Sequence, residues 1–444
     1  MPDLYPYQRD AVEFAKSAGG RCILADDMGL GKTVEALKFV EEVDSGDVLI
    51  VCPASVLYKW QKEELAWCGQ GAELVLTSKE PLVGSMGKSV DIMSYAIMTR
   101  RYQELRDRYR TIIFDECHAL KNYKAQRTRA AKLIAKNARY ILGLSGTPFM
   151  NRPIEMFNLL NMLDPKTWPS VRKYGVRYCG GLSADGLYMG ATNLDELQKR
   201  LRYIMIRRLK SDVLDQLPAL TRTHVPVDIP NYKEYKDIKR QVREAIAALD
   251  PEHKGYFVNA LDRLNLLRRV VGKGKAALAI EFVDDMMGQV GQNAKVVVFA
   301  HHKEVVHDIA QGLIQYNPVT FTGEDSAIKR EDKVGMFRGP GGPRVMVLTT
   351  AGGEGIDLFG SSGVDISRIV MVEREWNPST ESQVESRLHR MGQTSAVNAY
   401  YLVARKTIDS KFSDLVEYKR RITGSVFGES IVKNAIAMLM DDDG

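Results

Sequence analysis

No stretch of this sequence stays apolar for the roughly 18 residues that a membrane-spanning helix requires. The opening Met1-Pro2-Asp3-Leu4 begins no signal peptide. Cysteine is scarce: the chain has five, Cys22, Cys52, Cys68, Cys117 and Cys179, and none are spaced as CxxC. That excludes a disulfide framework and a cysteine-based zinc site, and it suits reduced thiols inside a cell. There is no repeat at solenoid spacing, and the closing "DDDG" is the one low-complexity stretch. These absences lead to the expectation of a protein in the cytoplasm, or in the nucleus of a eukaryote, with no membrane partner.

What is present fits a globular class. The 444 residues are 45% hydrophobic and 27% charged, enough for two or three domains with real cores. The net charge of +6 permits a polyanionic partner without demanding one.

Short β-branched runs alternate with helical patterns from "CILAD" (22–26) through "VLIVCP" (48–53), "ELVLT" (73–77), "VDIMSY" (90–95) and "TIIFDE" (111–116) to "YILGLSG" (140–146). Continuous apolar strands separated by helices imply a parallel sheet covered on both faces. After Leu163 the rhythm breaks at "DPKTWPS", and helical stretches are expected over 193–206, 231–249 and 256–271. Alternation resumes at "KVVVFAHH" (295–302), "RVMVLTT" (344–350), "RIVMVERE" (368–375) and "VNAYYLVA" (397–404). The expected fold is α/β: a first lobe over 1–165, a mainly helical insertion and hinge over 166–275, a second lobe over 276–425 and a tail over 426–444.

The strand "CILAD" runs into a glycine-rich loop and then a helix that opens with Lys32 and Thr33. Backbone N–H groups of such a loop converge on anionic oxygens, and Gly29 and Gly31 allow the close approach. Lys32 would meet the β/γ-phosphates, and the Thr33 hydroxyl would ligate Mg²⁺. The strict phosphate-loop pattern has Gly where this chain has Asp26, so a plain turn before a helix is the competing reading.

The second motif is "IIFDECH". A DE pair ending an apolar strand is either a solvated strand end or a site for cations and water. Some 80 residues after a GKT loop, Asp115 suits holding Mg²⁺ through its waters and Glu116 suits polarising the attacking water. In "QVESRLHRMGQ" (383–393), Gln383, Arg387 and Arg390 share one face of a helix at i, i+4 and i+7. Two such arginines form either a solvated basic face or fingers for a γ-phosphate. The first lobe offers no obvious arginine of its own near the loop, which favours fingers.

These residues together resemble helicase superfamily two and, within it, the Swi/Snf-type DNA translocases. The resemblance spans nearly the whole chain: "LYPYQ" (4–8), "DDMGLGKT" (26–33), "VCPASVLYKWQKE" (51–63), "DECH" (115–118), "LSGTP" (144–148) and "EWNPSTESQVESRLHRMGQ" (375–393) follow in the family's order. The middle, from "RYCGG" at 177 to "DVLDQLP" ending at 218, resembles the annealing-helicase (HARP) branch, whose members rewind or remodel branched DNA. The motor motifs run from Leu4 to near Arg421, so a bare motor is expected. Departures from the family pattern are Tyr5, Asp27, Cys117 and Asp357, where Arg, Glu, Ala and Asn are commoner.

The resemblance implies two RecA-like lobes that bind ATP and Mg²⁺, double-stranded or branched DNA as partner, a separate targeting protein and a monomeric motor. It places Tyr7, Gln8, Asp26, Met28, Gly29, Leu30, Gly31, Lys32, Thr33, Gly355, Asp357 and Gln383 around the nucleotide, with Gln8 reading adenine. Lys59, Trp60, Ser94, Tyr95, Ser145, Thr147, Gly353 and Trp376 fall at positions for contacting DNA or coupling it to the nucleotide. Trp376 would stack or wedge at the groove.

His301, His302 and His307, with Asp308 nearby, read as a strand entering an amphipathic helix rather than as a metal site. "IRRLK" (206–210) and "RRV" (268–270) either track phosphates or pair with acidic residues. Two rivals to translocation remain: a strand-separating helicase on DNA or RNA, and a degenerate motor serving as a DNA-binding scaffold.

Overall fold

The computed structural model describes residues 3–82, 89–146, 152–182, 188, 190–213, 217–249, 256–323, 325, 327–350, 356–360, 363–375 and 378–421. The chain forms two compact units, Met1–Asp215 and Gln216–Gly444.

The first unit is built on seven strands: β1 (Arg21–Leu24), β2 (Val48–Cys52), β3 (Glu73–Val75), β4 (Val90–Ser94), β5 (Thr111–Asp115), β6 (Tyr140–Leu144) and β7 (Met205–Ile206). They lie in the order β3-β4-β2-β5-β6-β1-β7, every pair parallel. The runs "VLIVC" and "YILGL" are buried at every residue, as expected of strands covered on both faces. Two cores flank the sheet. One gathers Phe114, Ile141, Leu160 and Trp168; the other gathers Leu24, Phe39, Ile50 and Leu142.

The second unit has six strands: β8 (Leu220–Val227), β9 (Ala294–Phe299), β10 (Val319–Phe321), β11 (Val345–Leu348), β12 (Asp365–Met371) and β13 (Val397–Ala404). Their order is β10-β11-β9-β12-β13-β8, again all parallel. The expected α/β class with two parallel-sheet lobes is therefore observed.

Three details correct the pattern reading. Met205–Ile206, expected at the end of a helix, pairs with β1, and the helix before it closes at Leu201. Residues 220–227, expected as neither strand nor helix, form the edge strand β8; its burial is slight and Pro226 sits within it, as an edge tolerates. The helix expected over 256–271 runs on from Tyr256 to Gln289. The stretch 166–275 thus contributes to both units.

All five cysteines are free, and Cys22, Cys52, Cys117 and Cys179 are buried. Among the described residues no helix is long and apolar enough to cross a membrane.

Candidate functional site

In the first unit β5, β6 and β1 are neighbours, so the loops at their carboxyl ends meet along one sheet edge. Those loops carry 25–33, 115–118 and 145–146, the motifs singled out above. Ligands of parallel α/β sheets gather at that edge.

The loop after β1 has Gly29 at φ 85° and Gly31 at φ 88°, the left-handed region that favours glycine. Gly31 caps the helix Lys32–Glu42, whose first amides point back into the loop. Lys32 Nζ donates to the carbonyls of Asp26 and Asp27, at 2.6 and 3.1 Å, and is thereby aimed across the loop. The N-terminal segment braces the same loop. Tyr7 Oη and Gln8 Nε2 each donate to the Leu30 carbonyl at 3.0 Å. Gln8 Oε1 accepts from the Tyr5 amide at 3.1 Å, so both ends of this buried amide are engaged within the protein. Met28 lies over Gly146, where an added Cβ would come within 2.5 Å of Met28 Cγ.

The acidic pair is set by its backbone. Glu116 takes φ 46°, a rare conformation for a non-glycine residue that turns its side chain away from the line of β5. Asp115 accepts from the Trp60 indole at 2.8 Å and from the Glu116 amide at 2.9 Å. Burial and then the neighbouring Glu116 push the Asp115 carboxyl up to about 6. Tyr95 Oη donates to the Asp115 carbonyl at 2.7 Å. Trp60 and Tyr95 are buried, and both brace Asp115. Ser94 is also buried; its Oγ accepts from the Ile97 amide and caps the helix Tyr95–Leu105. Lys59 lies half-buried on the helix Leu57–Trp67 beside Trp60.

Two residues were missed by sequence reasoning. His118 Nδ1 lies 3.2 Å from Glu116 Oε2 and 3.2 Å from Ser145 Oγ, joining the acidic pair to the loop after β6. It was visible in "DECH" but had no role. Arg208, described below, lies in the basic cluster 206–210 beyond the expected first lobe of 1–165, and binds Asp26 at the start of the phosphate loop.

Of the second unit's expected residues, Gln383 lies on the helix Pro378–Glu385. Arg387 and Arg390 do not share that helix, as they had been expected to. It closes at Glu385, whose carbonyl accepts from both the Leu388 and His389 amides, and the chain continues in turns to Gly392 at φ 89°. The Arg387 carbonyl accepts from the Leu358 amide at 2.9 Å. Arg390 pairs with Asp357 and lies over the Phe359 ring. Thr147, Gly353, Gly355 and Trp376 lie outside the described residues.

The histidines of "FAHH" pair with carboxylates. His302 Nδ1 is 2.6 Å from Glu373 Oε1 and His301 Nδ1 is 2.8 Å from Glu375 Oε1. Among the described residues no cluster of three or more His, Cys, Asp or Glu side chains is arranged to hold a metal ion. Next to them Arg374, wholly buried, binds Glu381 with two nitrogens and also reaches Glu417 and Ser413.

Residues 7–271 match the SNF2-related domain and residues 278–392 match the helicase conserved C-terminal domain. The chain is 34% identical over 438 residues to the SWI/SNF-related matrix-associated actin-dependent regulator of chromatin subfamily A-like protein 1 of Xenopus tropicalis, covering 95% of this chain and 45% of that protein. It is 30% identical over 442 residues to the human DNA annealing helicase and endonuclease ZRANB3, covering 95% of this chain and 40% of that protein. The chain thus spans less than half the length of these two relatives. A solved Sulfolobus solfataricus SWI2/SNF2 ATPase core in complex with dsDNA matches 99% of this chain and 95% of its own, at 22% identity and a TM-score of 0.45. With a family match over more than half its length, the chain belongs to the SNF2-related family of helicase-like ATPases.

Proposed function

We propose that this chain is a DNA-dependent ATPase that translocates on double-stranded DNA and remodels or reanneals branched DNA or protein–DNA complexes. The observation that carries the reading is the meeting, at one sheet edge, of a lysine-tipped glycine loop and an acidic pair wired through His118 to Ser145. The relatives named for annealing DNA add support for the substrate class.

In this reading the loop amides and Lys32 bind the phosphates, and Glu116 takes the proton of the attacking water. The donors fit Mg²⁺. A hydroxyl on Thr33 and one carboxylate on Asp115 are hard oxygens, and Mg²⁺ is held by one or two carboxylates with substrate phosphates rather than by a protein cage. Bound there, the ion would neutralise phosphate charge, and it would also offset the burial and repulsion that raise the Asp115 carboxyl. Arg387 and Arg390 supply further positive charge to the γ-phosphate, while Ser145, Thr147, Gly353 and Trp376 link the nucleotide to DNA. Gln8 selects adenine by rearranging from its contact with Leu30. The motor works as a monomer, brought to DNA by a targeting protein, in the cytoplasm or nucleus where that DNA lies.

Displacement of a triplex-forming strand tests translocation, run beside unwinding of a fluorescently labelled duplex. ATP-driven triplex displacement without duplex separation is expected. Separation of plain duplexes at a comparable rate would favour the strand-separating helicase, and neither activity alongside ATP turnover would leave a DNA-stimulated ATPase only.

A further inference from the structure

Arg208 lies beyond β7, on the segment through which the chain leaves the first unit. Its guanidinium packs against Asp26, a carboxylate wholly buried at the start of the phosphate loop. Nε is 3.0 Å from Oδ2, and a second nitrogen of the same fork reaches that oxygen too. The Arg208 amide donates to Oδ1 at 2.9 Å, so a single residue holds both carboxylate oxygens. The guanidinium also donates to the Tyr7 carbonyl and covers the Tyr7 ring, whose hydroxyl holds the Leu30 carbonyl. Glu35, wholly buried on the helix behind the loop, lies 3.6 Å from the same guanidinium.

Two buried carboxylates therefore share one cation. A buried carboxylate without a counter-charge takes up a proton rather than stay ionised. Burial, and then the charge of Asp26, raise the Glu35 carboxyl well above its usual range. Asp26 has the closer contact: two guanidinium nitrogens converge on its Oδ2 while the Arg208 amide takes Oδ1, a charge-assisted arrangement. Asp26 is also the residue whose carbonyl, with that of Asp27, holds Lys32 Nζ. The strict phosphate-loop pattern has glycine at this position; here an anchored aspartate takes its place.

We propose that Arg208 is a positioning residue for nucleotide binding: by neutralising buried Asp26 it fixes the backbone that aims Lys32. The loop and the exit segment of the first unit are then one mechanical piece. The Asp27 amide donating to the Arg208 carbonyl and the Lys210 amide donating to Asp27 Oδ2 add two more ties between them. The proposal rests on the assignment of the nucleotide to this loop.

The test measures ATP KM and kcat, and the affinity of a fluorescent ATP analogue, for the full chain and for Arg208→Gln, Asp26→Asn, the double variant and Lys32→Ala. Arg208→Gln is expected to weaken nucleotide binding by about tenfold or more, as loss of a hydrogen bond to a charged group does, with kcat falling less. The double variant no longer buries an unpaired charge and should recover most of that loss. A double variant no better than Arg208→Gln would overturn the proposal, because Arg208 would then act on the nucleotide itself or on the fold at large. If Arg208→Gln does not fold, the double variant is compared with Asp26→Asn: equal or tighter binding supports the proposal, and weaker binding overturns it. Normal nucleotide binding by Lys32→Ala would instead remove the site assignment, an outcome distinct from failed rescue.

Discussion

The two sheets present polar residues at the same edge, the carboxyl ends of their strands, yet they treat buried carboxylates in opposite ways. At two carboxylates of the first unit burial and like charge dominate: the Asp115 carboxyl is pushed up to about 6, and Glu35 is raised well above its usual range. In the second, burial would raise Glu373 and Glu375 as well, but hydrogen bonds from His302 and His301 outweigh it and hold both below their usual range. The satisfied carboxylates, with Arg374 clasped by Glu381 and Glu417, fix the strand end that leads to residues 376–377. The raised ones flank the loop proposed to hold the nucleotide.

That contrast can be broken in several places. Arg387→Ala or Arg390→Ala would cut kcat by about 10³-fold or more with DNA affinity little changed, if the second unit's contribution to chemistry runs through these two residues. An unchanged kcat in steady-state assays would leave the second unit without a chemical role. Glu116→Gln is expected to keep ATP binding and lose about 10²–10⁴ in turnover, the usual weight of a general base. Loss of binding instead, measured with the fluorescent analogue, would make Glu116 a binding residue.

Arg374→Met should leave the nucleotide affinity of the folded protein intact and cost about 3–5 kcal/mol of stability, since it strands the buried Glu381 carboxylate and unpairs half-buried Glu417. Chemical denaturation reads this directly, and a stable variant with impaired turnover would reverse the assignment of that network.

The smallest effect concerns pH. The folded Asp115 value is raised from 3.8 to about 6, so stability from its protonated form is full below the former and is lost as pH rises through the latter. The melting temperature of Asp115→Asn relative to the parent should therefore climb from about pH 4 to about pH 6 and then level. For Glu373→Gln the sign is opposite: the parent's advantage is present above the usual carboxylate range and is lost as pH falls through the depressed folded value. Two slopes of the same sign would end the contrast between the units.

The sequence was most informative where one physical rule acted alone. Fully apolar runs such as "VLIVC" and "YILGL" read as buried parallel strands, and Lys32, Asp115 and Glu116 lie at or beyond the carboxyl ends of their neighbours β1 and β5. It was silent where partners lie far apart. Arg208 sits 182 positions from Asp26, and no spacing rule joins them, although the basic cluster and the missing glycine were each noticed. The contact of the Trp60 indole with Asp115 was likewise not legible, since the two lie 55 positions apart. The edge strand β8 was missed because an edge needs little apolar patterning and tolerates proline. Helical spacing placed Arg387 and Arg390 on one face, but the backbone leaves the helix at Glu385 before either is reached.

The most direct test of the central claim is the ATP turnover of the full chain titrated with duplex DNA, in the parent and in Lys32→Ala. Turnover in the parent should rise steeply with duplex, the half-saturating DNA concentration should increase strongly with salt, as phosphate contacts require, and Lys32→Ala should show none of this. Turnover indifferent to DNA, or persisting in a folded Lys32→Ala variant, would contradict the account.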